Sequence, residues 1–369
     1  MTATTDTAGQ PEDGGGSGPE LGAALEFTGM PDAEASTEVL RGLRGALDVD
    51  GEGLSEVQVA VVDALASRFV GQGLPSLADV EPIGPSELLQ ALESPDERAL
   101  VAHLCVLLEL LDDPVRPEVE QHVEQYLGAM HVSVPEVNIA RDTARDHLVR
   151  LHADLMRNSW YTEQTLLGAA TGKLWEYARS KLAYYGVVGD KTVARRWEAL
   201  RDCEPGSWGR AVADFYEVHN FPFPGEHHGI YEIGALHDWV HVLTDYSTDP
   251  EGEIDVFAFI AGTMSDPRGF VQFIFTLALF QNASVDTVGG LPVQIARGDT
   301  LSEPGSPERL ADALWRASKC TADPMGGVDQ FQLKDKSLEG LRERWSVLPK
   351  SVESAGAHEV VVPGEGYGS

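Results

Sequence analysis

Asp96–Leu111 reads DERALVAHLCVLLELL, with apolar residues recurring at three- and four-residue spacing. That period matches an α-helix, in which positions three and four apart share a face. Ser55–Gly71 (SEVQVAVVDALASRFVG) and Pro117–Met130 (PEVEQHVEQYLGAM) repeat the pattern. Each segment opens on Ser, Asp or Pro, residues suited to a helix start. Alternating strand patterns bounded by hairpin turns are nearly absent, so the expected class is all-α.

Outward from these helices, the 369 residues suggest two domains or so. Residues 1–36 are rich in Gly, Thr, Pro and acid, with no Lys or Arg before Arg41, which predicts a disordered leader. A first helical domain follows over 37–134 and a connecting helix over 135–157, carrying mixed charges. A second helical domain spans 158–347, and 348–369 form a tail.

Composition excludes several functions. The formal net charge is -32, from 59 acidic and 27 basic residues, and such a surface repels phosphate backbones. Nucleic acid is therefore not expected as a partner. Cys105, Cys203 and Cys320 form no CxxC, so neither a disulfide framework nor a thiolate zinc site is implied. The N-terminus lacks the basic start and apolar core of a signal peptide, and Phe270–Phe280 (FVQFIFTLALF) is too short to span a bilayer. A cytoplasmic protein is expected, with peripheral membrane contact and a homo-oligomer left open. Phe270–Phe280 reads first as core and second as the wall of an apolar tunnel.

The first domain contains two acidic turns offset by 62 residues, Asp50 to Glu56 and Asp112 to Glu118. An acid ends one helix and a second acid, six residues on, opens the next, as in ordinary helix–turn–helix chemistry. The same arrangement can place carboxylates around a hard cation. Asp48, Asp50, Glu52 and Gly53 partly mimic an EF-hand loop, but Val59 stands where the bidentate acid belongs, which rejects that reading. The paired turns resemble the tellurite-resistance TerB-like domain over residues 36–134. The resemblance implies Asp50, Glu56, Asp112 and Glu118 as metal ligands and a metal or tellurite stress response. Asp112-Asp113-Pro114 departs from its usual Asp-Gly.

The sharpest chemical feature lies in Gly234–Phe259, GALHDWVHVLTDYSTDPEGEIDVFAF. His237 and His241 are four apart, so a helix projects both imidazoles from one face. Asp238 adjoins the first, and Glu253 opens the next helix after Asp249-Pro250. Imidazole nitrogen with carboxylate oxygen suits zinc, iron(II) or manganese, and no sulfur is offered. The pattern is not the zincin HExxH, because Asp238 replaces the general-base Glu. An HD-type phosphohydrolase would need a further upstream His and a downstream Asp, for which Asp255 and Asp266 are nominal candidates. His219, Glu226, His227 and His228 read as an exposed loop, or else as a gate. Trp239 and Tyr246 read as core and rim aromatics.

His237-Asp238-Trp239-Val240-His241, eleven residues and then Glu253 closely resembles the signature of the coenzyme Q biosynthesis protein 4 family. The resemblance extends over roughly 155–345 and includes Trp239 inside the motif and the Gly252-Glu253 pair. It implies an all-helical fold with His237, Asp238, His241 and Glu253 as metal ligands. The implied partner is a hydrophobic small molecule or prenylated quinone precursor, and the implied work is ring decarboxylation with hydroxylation or organisation of a biosynthetic complex. A metal-dependent lyase or oxidoreductase is one expectation. A non-catalytic lipid-binding scaffold with a structural metal is the other. No general base can be named.

Overall fold

The computed structural model describes residues 29–49, 51, 53–132, 189–230, 232–264, 268–281, 287–288, 291–292 and 298–351. Their architecture is all-α. Most of the leader, the connecting helix at 135–157, Asp50, Glu52, Asp266 and most of the tail lie outside the described residues.

The first half holds α1 (Ala33–Leu47), α2 (Glu56–Phe69), α3 (Pro85–Ala91), α4 (Pro95–Glu109) and α5 (Pro117–Ala129). Local chemistry sets their starts. Ser55 and Gln58 form a capping box on α2, and Ser94 and Glu97 form one on α4, each satisfying two end amides. The start of α4 therefore falls just before the Asp96 that opens the helical pattern. Every residue of α4 from Ala99 to Glu109 is buried, on all faces. It is a central helix wrapped by its neighbours, not a surface helix with one apolar stripe. Helix α1 packs on α3, α4 and α5.

The second half contains α6 (Lys191–Glu198), α7 (Trp208–Val218), α8 (Leu236–Thr244), α9 (Pro250–Thr263), α10 (Arg268–Phe280), α11 (Ser306–Lys319), α12 (Gln330–Leu333) and α13 (Leu338–Trp345). Short 3₁₀ turns lie at Ala199–Asp202 and Thr300–Ser302. The β structure among the described residues is a hairpin of Thr287–Val288 with Leu291–Pro292 and a bridge between Ser207 and Ser337. Helix α9 is sandwiched between α10 and α11. It meets α11 closely because Gly262 lies where a methyl group would stand 2.7 Å from Ala317 Cβ. Phe270, Phe273, Ile274, Leu277 and Phe280 are all buried on α10, which is a core helix.

The halves pack on each other chiefly through α2 and α11. Arg68 of α2 pairs with the buried Asp312 at 2.7 Å and lies 3.7 Å over the Trp315 ring. Gln281 Nε2 donates to Leu111 O at 3.0 Å, and the His103 and Phe270 rings meet edge-on at 4.4 Å. No described helix is long and apolar enough to cross a membrane.

Candidate metal centre

Helix α8 carries three of the four motif residues within two turns. Its inner face is fixed by tryptophan packing. Trp239 is fully buried, edge-on to Trp208 at 5.1 Å and Trp197 at 6.1 Å, and its carbonyl accepts from Trp208 Nε1 at 3.0 Å. Anchoring Trp239 turns His237 and His241 toward the start of α9.

The chain then reverses. Asp245 ends α8 in the left-handed region (φ 65°), with its N–H on His241 O. Asp249 caps α9, accepting from Gly252 N at 2.8 Å, and Pro250 occupies the first helical position. Glu253 follows on the first turn and reaches both imidazoles. Its Oε1 lies 3.4 Å from His241 Nε2, and its Oε2 lies 3.7 Å from His237 Nε2. Asp238 Oδ1 lies 3.4 Å from His237 Nε2. One ligand atom each from His237, Asp238 and His241 falls within a mutual 4.8 Å.

The backbone fixes how both rings present themselves. His237 Nδ1 faces Gly234 O at 2.5 Å, and His241 Nδ1 faces Tyr246 O at 3.2 Å. A carbonyl only accepts, so each Nδ1 carries the hydrogen and each Nε2 is the nitrogen left for a ligand. In the neutral rings those lone pairs confront carboxylate oxygens, acceptor against acceptor. His241 Nε2 is buried without a hydrogen bond. A proton or a metal ion between the groups removes the conflict.

The electrostatics favour a positive charge between the groups, which relieves that conflict. Burial opposes charge on His241, but Glu253 and Asp238 outweigh it and hold the imidazole above its ordinary range. Burial likewise opposes the Glu253 anion, and the two histidines overcome it and pull the carboxyl down. Burial dominates at Asp238 and pushes its carboxyl up. The opposite charges of His241 and Glu253 thus favour each other's ionised forms despite burial.

No family model, curated protein or solved structure matches this chain.

The donor set fits a divalent ion. Two imidazole nitrogens with hard carboxylate oxygens suit zinc, iron(II) or manganese(II). The His241 side chain is 0% exposed and forms the floor, whereas His237 and Glu253 keep 13% and 16% exposure at the rim. Phe257 lies against the His237 ring at 5.3 Å and Phe215 against His241 at 6.0 Å, giving the site apolar walls.

Other sequence candidates stand apart. Asp255 follows Glu253 by two residues, which turns it about 200° around the helix. It pairs instead with Arg309 at 2.6 Å, so it is not available as the additional acid of an HD-type site. His219 stacks on Phe221, Glu226 accepts from Phe223 N at 2.8 Å, and His227 and His228 are exposed. Tyr246 is buried in the core and not at a rim. In the first half, Glu56 and Glu118 are exposed, and Asp112 is engaged by Arg116 at 2.9 Å and Gln58 at 3.3 Å. Among the described residues the α8 group is the one cluster of three such donors.

Sequence reading missed Tyr216, whose hydroxyl donates to Asp238 Oδ2. The two residues are 22 apart on different helices, and no local pattern links them.

Proposed function

We propose that this chain is a metal-dependent protein acting on a quinone-like or prenylated aromatic molecule. His237, Asp238, His241 and Glu253 hold a divalent ion of the zinc, iron(II) or manganese(II) type. The observation that carries the metal is the paired Nε2 lone pairs facing carboxylates at 3.4–3.7 Å in a mostly buried setting. The substrate class rests on the resemblance of His-Asp-x-x-His, eleven residues, Glu to the coenzyme Q biosynthesis protein 4 signature. Phe215 and Phe257 set apolar rings beside the two histidines.

A bound ion supplies an electrophilic centre for an oxygen substituent of the substrate. The four side chains serve as ligands, and Gly234 O and Tyr246 O keep both imidazoles in the tautomer that ligation needs.

The test uses the full-length protein purified without added metal. Elemental analysis is expected to find about one divalent ion per chain, a stoichiometry set by a single four-residue ligand set. Solvent extraction and mass spectrometry are expected to recover a quinone-like or prenylated aromatic. Metal-free protein that also takes up no zinc, iron(II) or manganese(II) on dialysis would sink the reading.

A second reading is a lipid-binding scaffold whose metal is structural. The complete burial of His241 favours it, because closed sites with all-protein ligands are the structural kind. Zinc held with no exchangeable water would select it. Iron with an open position would select chemistry.

A further inference from the structure

Tyr216 stands on α7 and is 1% exposed, its ring stacked on Phe223 at 5.0 Å and tilted against Trp197 at 5.5 Å. Its hydroxyl reaches Asp238 Oδ2. The Asp238 carboxylate is therefore engaged from two sides. Oδ2 is taken by the phenol, and Oδ1 faces His237 Nε2.

Resting on the metal reading above, we propose that Tyr216 is a positioning residue that restricts Asp238 to one-oxygen ligation through Oδ1. A carboxylate free to turn about its last torsion can offer a cation either oxygen or both. A buried hydrogen bond to one oxygen occupies that lone pair and fixes the carboxylate plane. Glu253 has no such restraint from Tyr216, and it directs its two oxygens to different histidines. The two acids thus have unequal roles, decided by a residue outside the ligand motif.

Cobalt(II) titration of the chelator-stripped full chain tests this, since its visible absorption weakens as coordination number rises. Tyr216→Phe keeps the ring and removes the hydroxyl. That variant is expected to bind cobalt about 10-fold more weakly, the usual cost of losing an outer-shell partner. Its absorption is expected to weaken as Oδ2 joins the ion. Phe223→Leu, which loosens the stack and leaves the hydroxyl, should keep the wild-type spectrum. Infrared difference spectra of the wild type, apo against loaded, need no substitution. A widely split pair of carboxylate stretches is expected from one-oxygen Asp238.

A Tyr216→Phe protein with wild-type spectrum and affinity overturns the proposal. So does a Phe223→Leu protein that reproduces the Tyr216→Phe change, or a loaded wild type lacking the widely split pair. A wild type that takes up no cobalt removes the metal site itself and this role with it.

Discussion

Gly252 lies against the Ser247 carbonyl so closely that a methyl group on its α-carbon would meet that oxygen at 2.0 Å. This approach folds the first turn of α9 back onto the loop leaving α8, and it puts Glu253 opposite the histidines. Backbone cannot yield as a flexible side chain can. Gly252→Ala is therefore expected to destabilise the fold by about 2–3 kcal/mol, as overpacking does. Displacing Glu253 should also weaken metal binding by 10-fold or more, by analogy with lost supporting contacts. Urea unfolding and a metal titration check both. An alanine variant with unchanged affinity would show that this contact does not position Glu253.

His241 is the buried floor of the site and has no hydrogen bond at Nε2. His241→Ala is expected to lower bound metal sharply while most helical signal persists in the far ultraviolet. Elemental analysis and circular dichroism read the two effects separately. Full metal loading in that variant would mean that the ion sits elsewhere.

Arg68 couples the two halves, paired with Asp312 and stacked on Trp315. Asp312 is 2% exposed and also accepts from Ser351 N at 3.2 Å. Removing its cationic partner leaves a buried carboxylate short of compensation. Arg68→Ala should cost about 2–3 kcal/mol, less than a fully buried pair because the arginine is partly solvated, with the lost cation–π contact included. Denaturant titration of the full chain measures it. A loss below about 0.5 kcal/mol would class the pair with ordinary surface bridges.

His103 sits in the core between α4 and α10, where burial lowers its pKa from 6.5 to about 4, partly offset by the Ala99 carbonyl. A depressed folded value means that the unfolded chain binds the proton first. Stability is then intact above the unfolded value and is lost as pH falls from 6.5 toward 4. His103→Leu removes that linkage. Between pH 7 and pH 5 the wild type should lose about 2 kcal/mol more stability than the variant. Parallel slopes for the two proteins would contradict a buried neutral imidazole.

Much of the helical content was legible because its signals are local. Ser55 and Pro117 open segments read as helical, and α2 and α5 begin at those points, whereas α4 is capped by Ser94, ahead of the Asp96 read as its opening. The four-residue interval between His237 and His241 likewise fixes their common face wherever α8 sits. The surroundings of α4 were not legible, since a run of apolar residues gives no indication of how many neighbours will cover it. Asp255 was a nominal candidate for an HD-type site, yet helical rotation sends it to Arg309.

Sequence alone determined the all-α class, several of the helical segments, and a histidine pair with acids placed to join it, because periodicity acts over a few residues. Tertiary structure decided that Glu253 meets both imidazoles, that Tyr216 takes one oxygen of Asp238, and that Arg68 bridges the halves. Those relationships depend on where separate helices cross, and crossing is set by packing volume and close backbone approach across the whole core.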